Sequence, residues 1–315
     1  IFCSRTNVDY VSHTLWAAHE SHQHTVNPGD LPSQLMPFLA SRVIFGAGGW
    51  DYRSPGLHFT TSPRAHFITE LIDIDSQHTR PLFNSKNEPL GEDGTHRLHI
   101  VCSESLCSEK ANVLRFGTAA LVMRLLEHGI RPAESVVLAS PVAALQHFAT
   151  RPGFGACARR AATGRLTAVE IQRHYLHEVT THFTALALPS WAEGVCELWK
   201  TTLDHVEGMD AALDTTLDWA IKRRLFEQQI CRHGLTWAML RSWDKVLWQL
   251  RRRWALLGTD IPFDIGVAHQ HAGLESERRG LDSHLRRHGL AWDDLPRLAL
   301  ARKQVFELDA KFGAL

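Results

Sequence analysis

The period of the apolar positions changes near residue 105. Before it, Leu57-His58-Phe59-Thr60-Thr61 and His66-Phe67-Ile68-Thr69-Glu70-Leu71-Ile72 partly alternate between polar and apolar residues. Together with the β-rich stretch 42–48, they predict strands of an antiparallel sheet, separated by the Gly46-Ala47-Gly48-Gly49 turn region. The run from Arg97 to Cys102 alternates in the same way, with Arg97, His99 and Val101 on one face and Leu98, Ile100 and Cys102 on the other. Its polar face is suited to lining a site.

After Ser105 the spacing becomes helical. Cap-like residues at Ser105–Glu109 precede an apolar-periodic run from Ala111 to His128, which Gly129 stops. Further helices are predicted at 133–148, 167–185, 192–208 and 212–232, with Pro132, Pro152, Gly164 and Pro189 at the breaks. Near the end, Arg232-His233-Gly234-Leu235-Thr236-Trp237 is echoed by Arg287-His288-Gly289-Leu290-Ala291-Trp292, each copy following one helix and starting another. Between them, about 238–286, Trp243, Trp248 and Trp254 stand near helical spacing and suggest an inserted helical hairpin whose tryptophans pack a core. No long linker divides the chain. One α+β domain over 1–315 is expected, with a sheet-rich part at 1–104 and a mainly helical part at 105–315.

Composition narrows the function classes. With 44% hydrophobic and 22% charged residues the chain is globular, and 34 basic against 34 acidic side chains give no field for nucleic acid or an acidic membrane surface. The runs Lys222-Arg223-Arg224 and Arg251-Arg252-Arg253 read as solvated helix faces. No apolar run approaches the roughly 20 residues that span a bilayer. Six cysteines, at 3, 102, 107, 157, 196 and 231, form no Cys-x-x-Cys pair and fit a reducing cytoplasm. The chain opens on Ile1 and closes directly after a helical stretch, as a piece of a longer protein would.

Candidate chemistry concentrates in the polar loop Asn84-Ser85-Lys86-Asn87-Glu88-Pro89 and the neighbouring strand. Phosphates need fixed cations and N–H donors, and a nucleotide's divalent ion needs hard oxygens with an occasional imidazole. Loop and strand supply both kinds of group. The same residues also describe a turn with solvated charges, and spacing leaves both readings open. His13, His19, His22 and His24 cluster at separations from which imidazoles could share a metal, but no His-Glu-x-x-His or Cys/His pattern supports a zinc site and a partly exposed polar segment is the preferred reading. Neither a P-loop nor a Gly-x-Ser-x-Gly elbow occurs.

A collinear series of segments carries a family resemblance. It runs through Asn7-Val8-Asp9, His19-Glu20, Phe38-Leu39-Ala40-Ser41-Arg42, Arg80 to Pro89, and Arg97-Leu98-His99-Ile100. It continues through Phe116 to Val122, Ser140 to Leu145, Leu166 to Arg173 and Leu217 to Leu225. In these the chain resembles the Pup ligase and Pup deamidase/depupylase enzymes, which are glutamine-synthetase-like carboxylate-amine ligases.

The resemblance implies a curved antiparallel sheet with helices packed behind it, a helical C-terminal half, and ATP and Mg2+ bound on the concave face. Its implied partners are Pup, a small ubiquitin-like protein, and pupylated proteins. His19 and His99 would be metal ligands, Arg97 and Lys86 would contact nucleotide phosphate, and Asn84, Asn87 and Glu88 would line the active-site loop. Family members show Thr-Arg-Asp-Glu-Pro-His where this chain has Ser85-Lys86-Asn87-Glu88-Pro89-Leu90, so one bidentate fork, one anionic oxygen and one imidazole are replaced. The strand that carries the family's metal-binding glutamate and catalytic aspartate does not occur in these residues, nor does the small C-terminal domain. No catalytic base is therefore expected within the chain, which should not turn over alone. Thr118–Val122 and Ser140–Leu145 favour the hydrolytic branch, in which Pup amides are cleaved with ATP and Mg2+, whereas Glu197-Leu198-Trp199 leans toward the ligase, which forms an isopeptide bond through an acyl phosphate. The deamidase/depupylase is the preferred expectation, ahead of the ligase and of a non-catalytic Pup-binding relative.

Overall fold

Burial alternates along the first strand, where Glu20 and His24 are buried and Ser21 and Gln23 exposed. That is the two-residue period of a strand with one face covered. A computed structural model of the chain describes residues 7–8, 14–51, 57–75, 78–86, 94–150, 156–243, 282–283, 285–287 and 289–312. In chain order its regular elements are β1 (Glu20–His24), α1 (Leu31–Ser41), β2 (Gly49–Trp50), β3 (Phe59–Thr60), β4 (Glu70–Asp73), β5 (Pro81–Asn84), β6 (His96–Ile100), α2 (Glu109–Glu127), α3 (Pro141–Thr150), β7 (Cys157–Arg159), β8 (Arg165–Thr167), α4 (Ala168–Thr181), α5 (Ala192–Gly208), α6 (Asp218–Arg232) and α7 (Leu295–Phe312). They fall into two compact units, Ile1–Gly49 with Thr60–Ile221, and Trp50–Phe59 with Lys222–Leu315.

The larger unit holds a four-stranded sheet in the order β1-β6-β5-β4. β6 is antiparallel to both β1 and β5, while β4 runs parallel to β5. One face of β6 presents Leu98 and Ile100, both essentially inaccessible, to the interior. Behind the sheet, α1 is buried on nearly every side and packs on α3 and α4. Phe38 meets Tyr175 and Trp199, with ring centroids 5.4 and 6.3 Å away.

A polar thread fixes the register of these helices. Buried Gln172 of α4 donates to Phe38 O at 3.1 Å and to Ser41 Oγ at 2.8 Å, and its Oε1 accepts the Trp199 indole N–H at 3.1 Å. Every polar atom of that side chain is thereby satisfied against a specific partner. Where α2 crosses α5 the backbones come close, since a Cβ at Gly117 would lie 2.8 Å from both Val195 methyls.

Local chemistry sets the helix ends. Ser108 caps α2 by accepting from Ala111 N, and Thr167 with Glu170 forms a reciprocal capping box on α4. In the smaller unit Trp50 stacks on Phe226 with centroids 5.2 Å apart. The repeated His-Gly-Leu segments there adopt the same turn: Gly234 and Gly289 have φ of 64° and 66°, and Leu235 N and Leu290 N return to Ile230 O and Leu285 O. Both are Schellman-type stops that need a residue tolerant of left-handed backbone.

Four local expectations are corrected. Residues 42–45 prolong α1 as a tighter 3-10 turn and are wholly buried, so their β-branched content reflects core packing and not a strand. Pro63 opens another 3-10 turn across 63–67, which confines the later strand to Glu70–Asp73. The helix predicted from 133 begins only at Pro141, a residue suited to the first helical turn. Lys222 is not solvated either, being buried and paired with Asp309 at 2.8 Å. Trp248, Trp254 and Arg251–Arg253 lie outside the described residues.

Candidate functional site

The register of β1 on β6 sets Ser21 opposite His99 and Gln23 opposite Arg97, so these side chains share the sheet face turned away from Leu98 and Ile100. His19, just before β1, reaches across the same face. Its Nδ1 lies 3.0 Å from His99 Nε2, with the rings edge to face and centroids 4.9 Å apart. Arg97 Nε donates to Ser21 Oγ at 3.0 Å. Partial desolvation of the His19 ring, with Arg64 and Arg97 nearby, lowers its pKa and so favours the neutral imidazole.

The separation of the two ring nitrogens suits a divalent ion. Two cis ligands at about 2.1 Å each would stand about 3.0 Å apart around an octahedral centre. Among the described residues no third His, Cys, Asp or Glu completes a metal cluster, so the protein offers this pair of nitrogens there. His22 and His24 belong to the opposite face of β1 and do not join His19, and His13 lies outside the described residues.

Asn84 of β5 stands opposite His99 but is buried and committed to backbone. Its Nδ2 donates to Ile74 O at 2.8 Å and its Oδ1 accepts from Lys86 N at 2.7 Å, so it shapes the start of the loop that carries the exposed Lys86. Asn87 and Glu88 lie outside the described residues.

Two arrangements escaped the reading of the sequence. Glu20 points beneath the sheet, where Arg42 grips it through Nη2 at 2.8 Å and Nη1 at 3.1 Å, Ser103 Oγ donates to it and Arg115 Nε lies 3.8 Å away. Burial pushes its carboxyl up, but the Arg42 charge and hydrogen bonds from His22, Ser103 and Arg42 outweigh that and hold it at about 2. Arg64 and Arg80 line a cavity beside His19. Arg80 was visible only as the first letter of a motif, and Arg64 lay between the two predicted strand segments, in no motif at all.

The Gly46-Ala47 turn is anchored from below by Glu104, which accepts from Ala47 N at 2.8 Å and from Arg64 N at 2.9 Å. Burial raises the Glu104 pKa, and those backbone donors oppose the rise. A Cβ on Gly46 would sit 2.4 Å from Thr61 O and 2.9 Å from Glu104 Oε2. Gly46→Ala is therefore expected to lower the urea-unfolding free energy by about 1–3 kcal/mol through overpacking against backbone. A stability equal to wild type would show that this turn is not closed as described.

Comparison with known proteins places these features in a family. The family described as Pup-ligase protein matches residues 1–253. The Pup–protein ligase of Paenarthrobacter aurescens is 32% identical over 206 residues, covering 64% of this chain and 45% of that protein. The Pup–protein ligase of Mycobacterium ulcerans is 30% identical over 241 residues, covering 75% and 53%. The Pup ligase PafA in complex with ADP superposes with a TM-score of 0.65 at 23% identity, over 75% of this chain and 54% of that one. The complex of Pup with PafA gives 0.62 at 24% identity, over 73% and 49%. These solved structures bear out the α+β fold, and the chain spans about half the length of the curated relatives it matches.

The preference for a deamidase or depupylase is overturned by these ligase relatives. The residues behind that preference explain why. Thr118, Ala119, Leu121 and Val122 are buried within α2, and Ala144 and Leu145 within α3, so they report on packing and carry no reaction chemistry. Trp199, which leaned the other way, is a core residue as well. The match across residues 1–253 and the shared fold make this chain a member of the Pup-ligase protein family.

Proposed function

We propose that the chain forms the nucleotide- and metal-holding part of a Pup–protein ligase, an ATP-dependent carboxylate-amine ligase of the cytoplasm that joins the C-terminal glutamate of Pup to lysines of target proteins. The observation that carries this reading is the convergence of His19, His99 and Arg97 on one open sheet face from strands far apart in sequence. In this reading His19 and His99 hold a divalent ion, and the hard oxygens that Mg2+ prefers come from nucleotide phosphates and water. The ion's chemistry would be to neutralise phosphate charge. Arg97 faces the same phosphates with a guanidinium oriented by Ser21, Lys86 adds a point charge from the loop, and Asn84 fixes where that loop starts. Asn87 and Glu88 belong to the same loop. Among the described residues no helix is long and apolar enough to cross a membrane.

The test incubates the complete protein with Pup, a lysine-bearing target and MgATP. A conjugate heavier by one Pup, formed only with ATP, is expected, and its absence despite intact nucleotide binding would sink the ligase reading. Arg97→Ala should weaken MgATP binding about 10- to 100-fold, as befits loss of a charge-assisted contact. His99→Ala should weaken it in a way that excess divalent ion partly restores. Calorimetry showing wild-type affinity for both variants would remove these residues from the site.

A further inference from the structure

His24 is the last residue of β1, on the underside of the sheet. It is 1% exposed, and neither of its buried ring nitrogens closes a hydrogen bond of good geometry. The register sets it against His96, the first residue of β6, with ring centroids 5.7 Å apart. From β6, therefore, a second imidazole faces it. From α2, which packs against β1, comes Glu127 of the last turn. That carboxylate is already engaged: it accepts from Thr25 N at 3.1 Å and Thr25 Oγ1 at 3.4 Å and pairs with Arg124 Nη1 at 3.2 Å. Within β1, His22 shares the face and stands 3.4 Å from Glu20 Oε2. A charged His24 ring would be a buried cation with no carboxylate of its own. Burial lowers the His24 pKa and the neighbouring His96 lowers it further, while Glu127 and the Val26 backbone oppose the fall without cancelling it and His22 adds to it.

We propose that the His24–His96 pair is an acid-sensitive latch, in which a proton taken up at His24 below neutral pH loosens the end of β1 from β6 and α2. Among the described residues β1 stands at the edge of the four-stranded sheet, so β6 beside it and α2 beneath it hold this end, and a cation at its last residue works against both. The unfolded chain takes up the proton near the ordinary value of 6.5, and the folded ring only at lower pH. Stability is therefore complete above 6.5 and declines as pH falls below it. The other end of the strand responds differently. Glu20 stays ionised and gripped by Arg42 down to a pH of about 2, so mild acid frays β1 from the His24 end only. That end includes Gln23, the residue opposite Arg97. A consequence for nucleotide binding through Arg97 rests on the proposed function, and the loosening itself does not.

The experiment compares amide hydrogen exchange of the full chain at about pH 7.5 and about pH 5.5, with rates corrected for intrinsic exchange chemistry. At the lower pH the amides of β1 and Thr25 should lose protection several-fold relative to those of α5, with about tenfold the ceiling that linkage sets one unit below 6.5. His24→Phe keeps a ring of similar bulk but has no proton to take up, and should hold its β1 protection at both pH values. His24→Gln does the same service if the phenyl ring does not pack. His78→Gln removes an exposed imidazole and should loosen as wild type does. Unchanged β1 protection in the wild type, a loss shared equally by α5, or a folded His24 variant that loosens like wild type overturns the proposal. MgATP binding gives a separate reading. On the proposed function it should weaken over this range more in the wild type than in His24→Phe. Equal weakening, with β1 protection lost in the wild type alone, would count against nucleotide on this face and leave the latch standing.

Discussion

Arg42→Ala should destabilise the fold by about 3–5 kcal/mol, one of the two largest losses expected of a single substitution here. The mutation leaves the Glu20 carboxylate beneath the sheet with two of its guanidinium contacts gone and only Ser103, His22 and the more distant Arg115 to face it. Removing one partner of a buried pair is far worse than removing both, so Glu20→Leu combined with Arg42→Met should lie closer to wild type than Arg42→Ala does. A second readout has a definite sign. The folded Glu20 carboxyl is held at about 2, below its ordinary value of 4.5, so its contribution is complete above pH 4.5 and is lost as pH falls toward 2. In Arg42→Ala that acid limb shrinks, because burial is no longer opposed by the Arg42 charge. Urea melts at pH 7 and pH 3 check both points. An Arg42→Ala variant as stable as wild type with an unchanged acid limb would mean the pair is not buried in solution.

The same pair connects packing to the site. Glu20 lies opposite Ile100 and follows His19 directly, so pinning its side chain to Arg42 below the sheet fixes which way β1 faces. A one-residue slip would send His19 and Ser21 inward and break the His19–His99 approach. The alternation of Arg97, Leu98, His99 and Ile100 made the two faces of β6 legible in the sequence. The approach of His19 to His99, across 80 positions, was not, because strand register is set by tertiary packing and carries no local spacing signal.

Helices were more legible than strands for a related reason. The segment predicted at 192–208 is α5 itself, and the helix predicted from 167 starts as α4 at Ala168, since breaks and a 3.6-residue period are written locally. The strands here span two to five residues, too few for a period to declare itself, and 3-10 turns such as 63–67 imitate them. Arg64 was overlooked because it sits in such a turn. Its importance comes from burial against Trp16 and Val101, which no motif records.

Trp219→Ala should cost a similar amount, about 3–5 kcal/mol, by a different mechanism. Trp219 sits in the first turn of α6, is 1% exposed, and donates its indole N–H to Ile44 O at 2.8 Å. Truncation removes a large apolar body and also strands a carbonyl in the 3-10 turn that follows α1. Two substitutions separate these effects. Trp219→Phe keeps most of the volume but not the donor and should lose only the hydrogen-bond part plus a small cavity, about 1–2 kcal/mol. Asp218, next in chain, bonds Cys107 N and Ser108 N at the start of α2, so α6 remains anchored there in either variant. The loss should therefore appear as a lower unfolding midpoint with an unchanged denaturant slope, read by circular dichroism because nine other tryptophans would obscure fluorescence. If Trp219→Ala melts with wild type, Trp219 is not seated in this core, and the path from α6 through Ile44 to Arg42 and the site face fails with it.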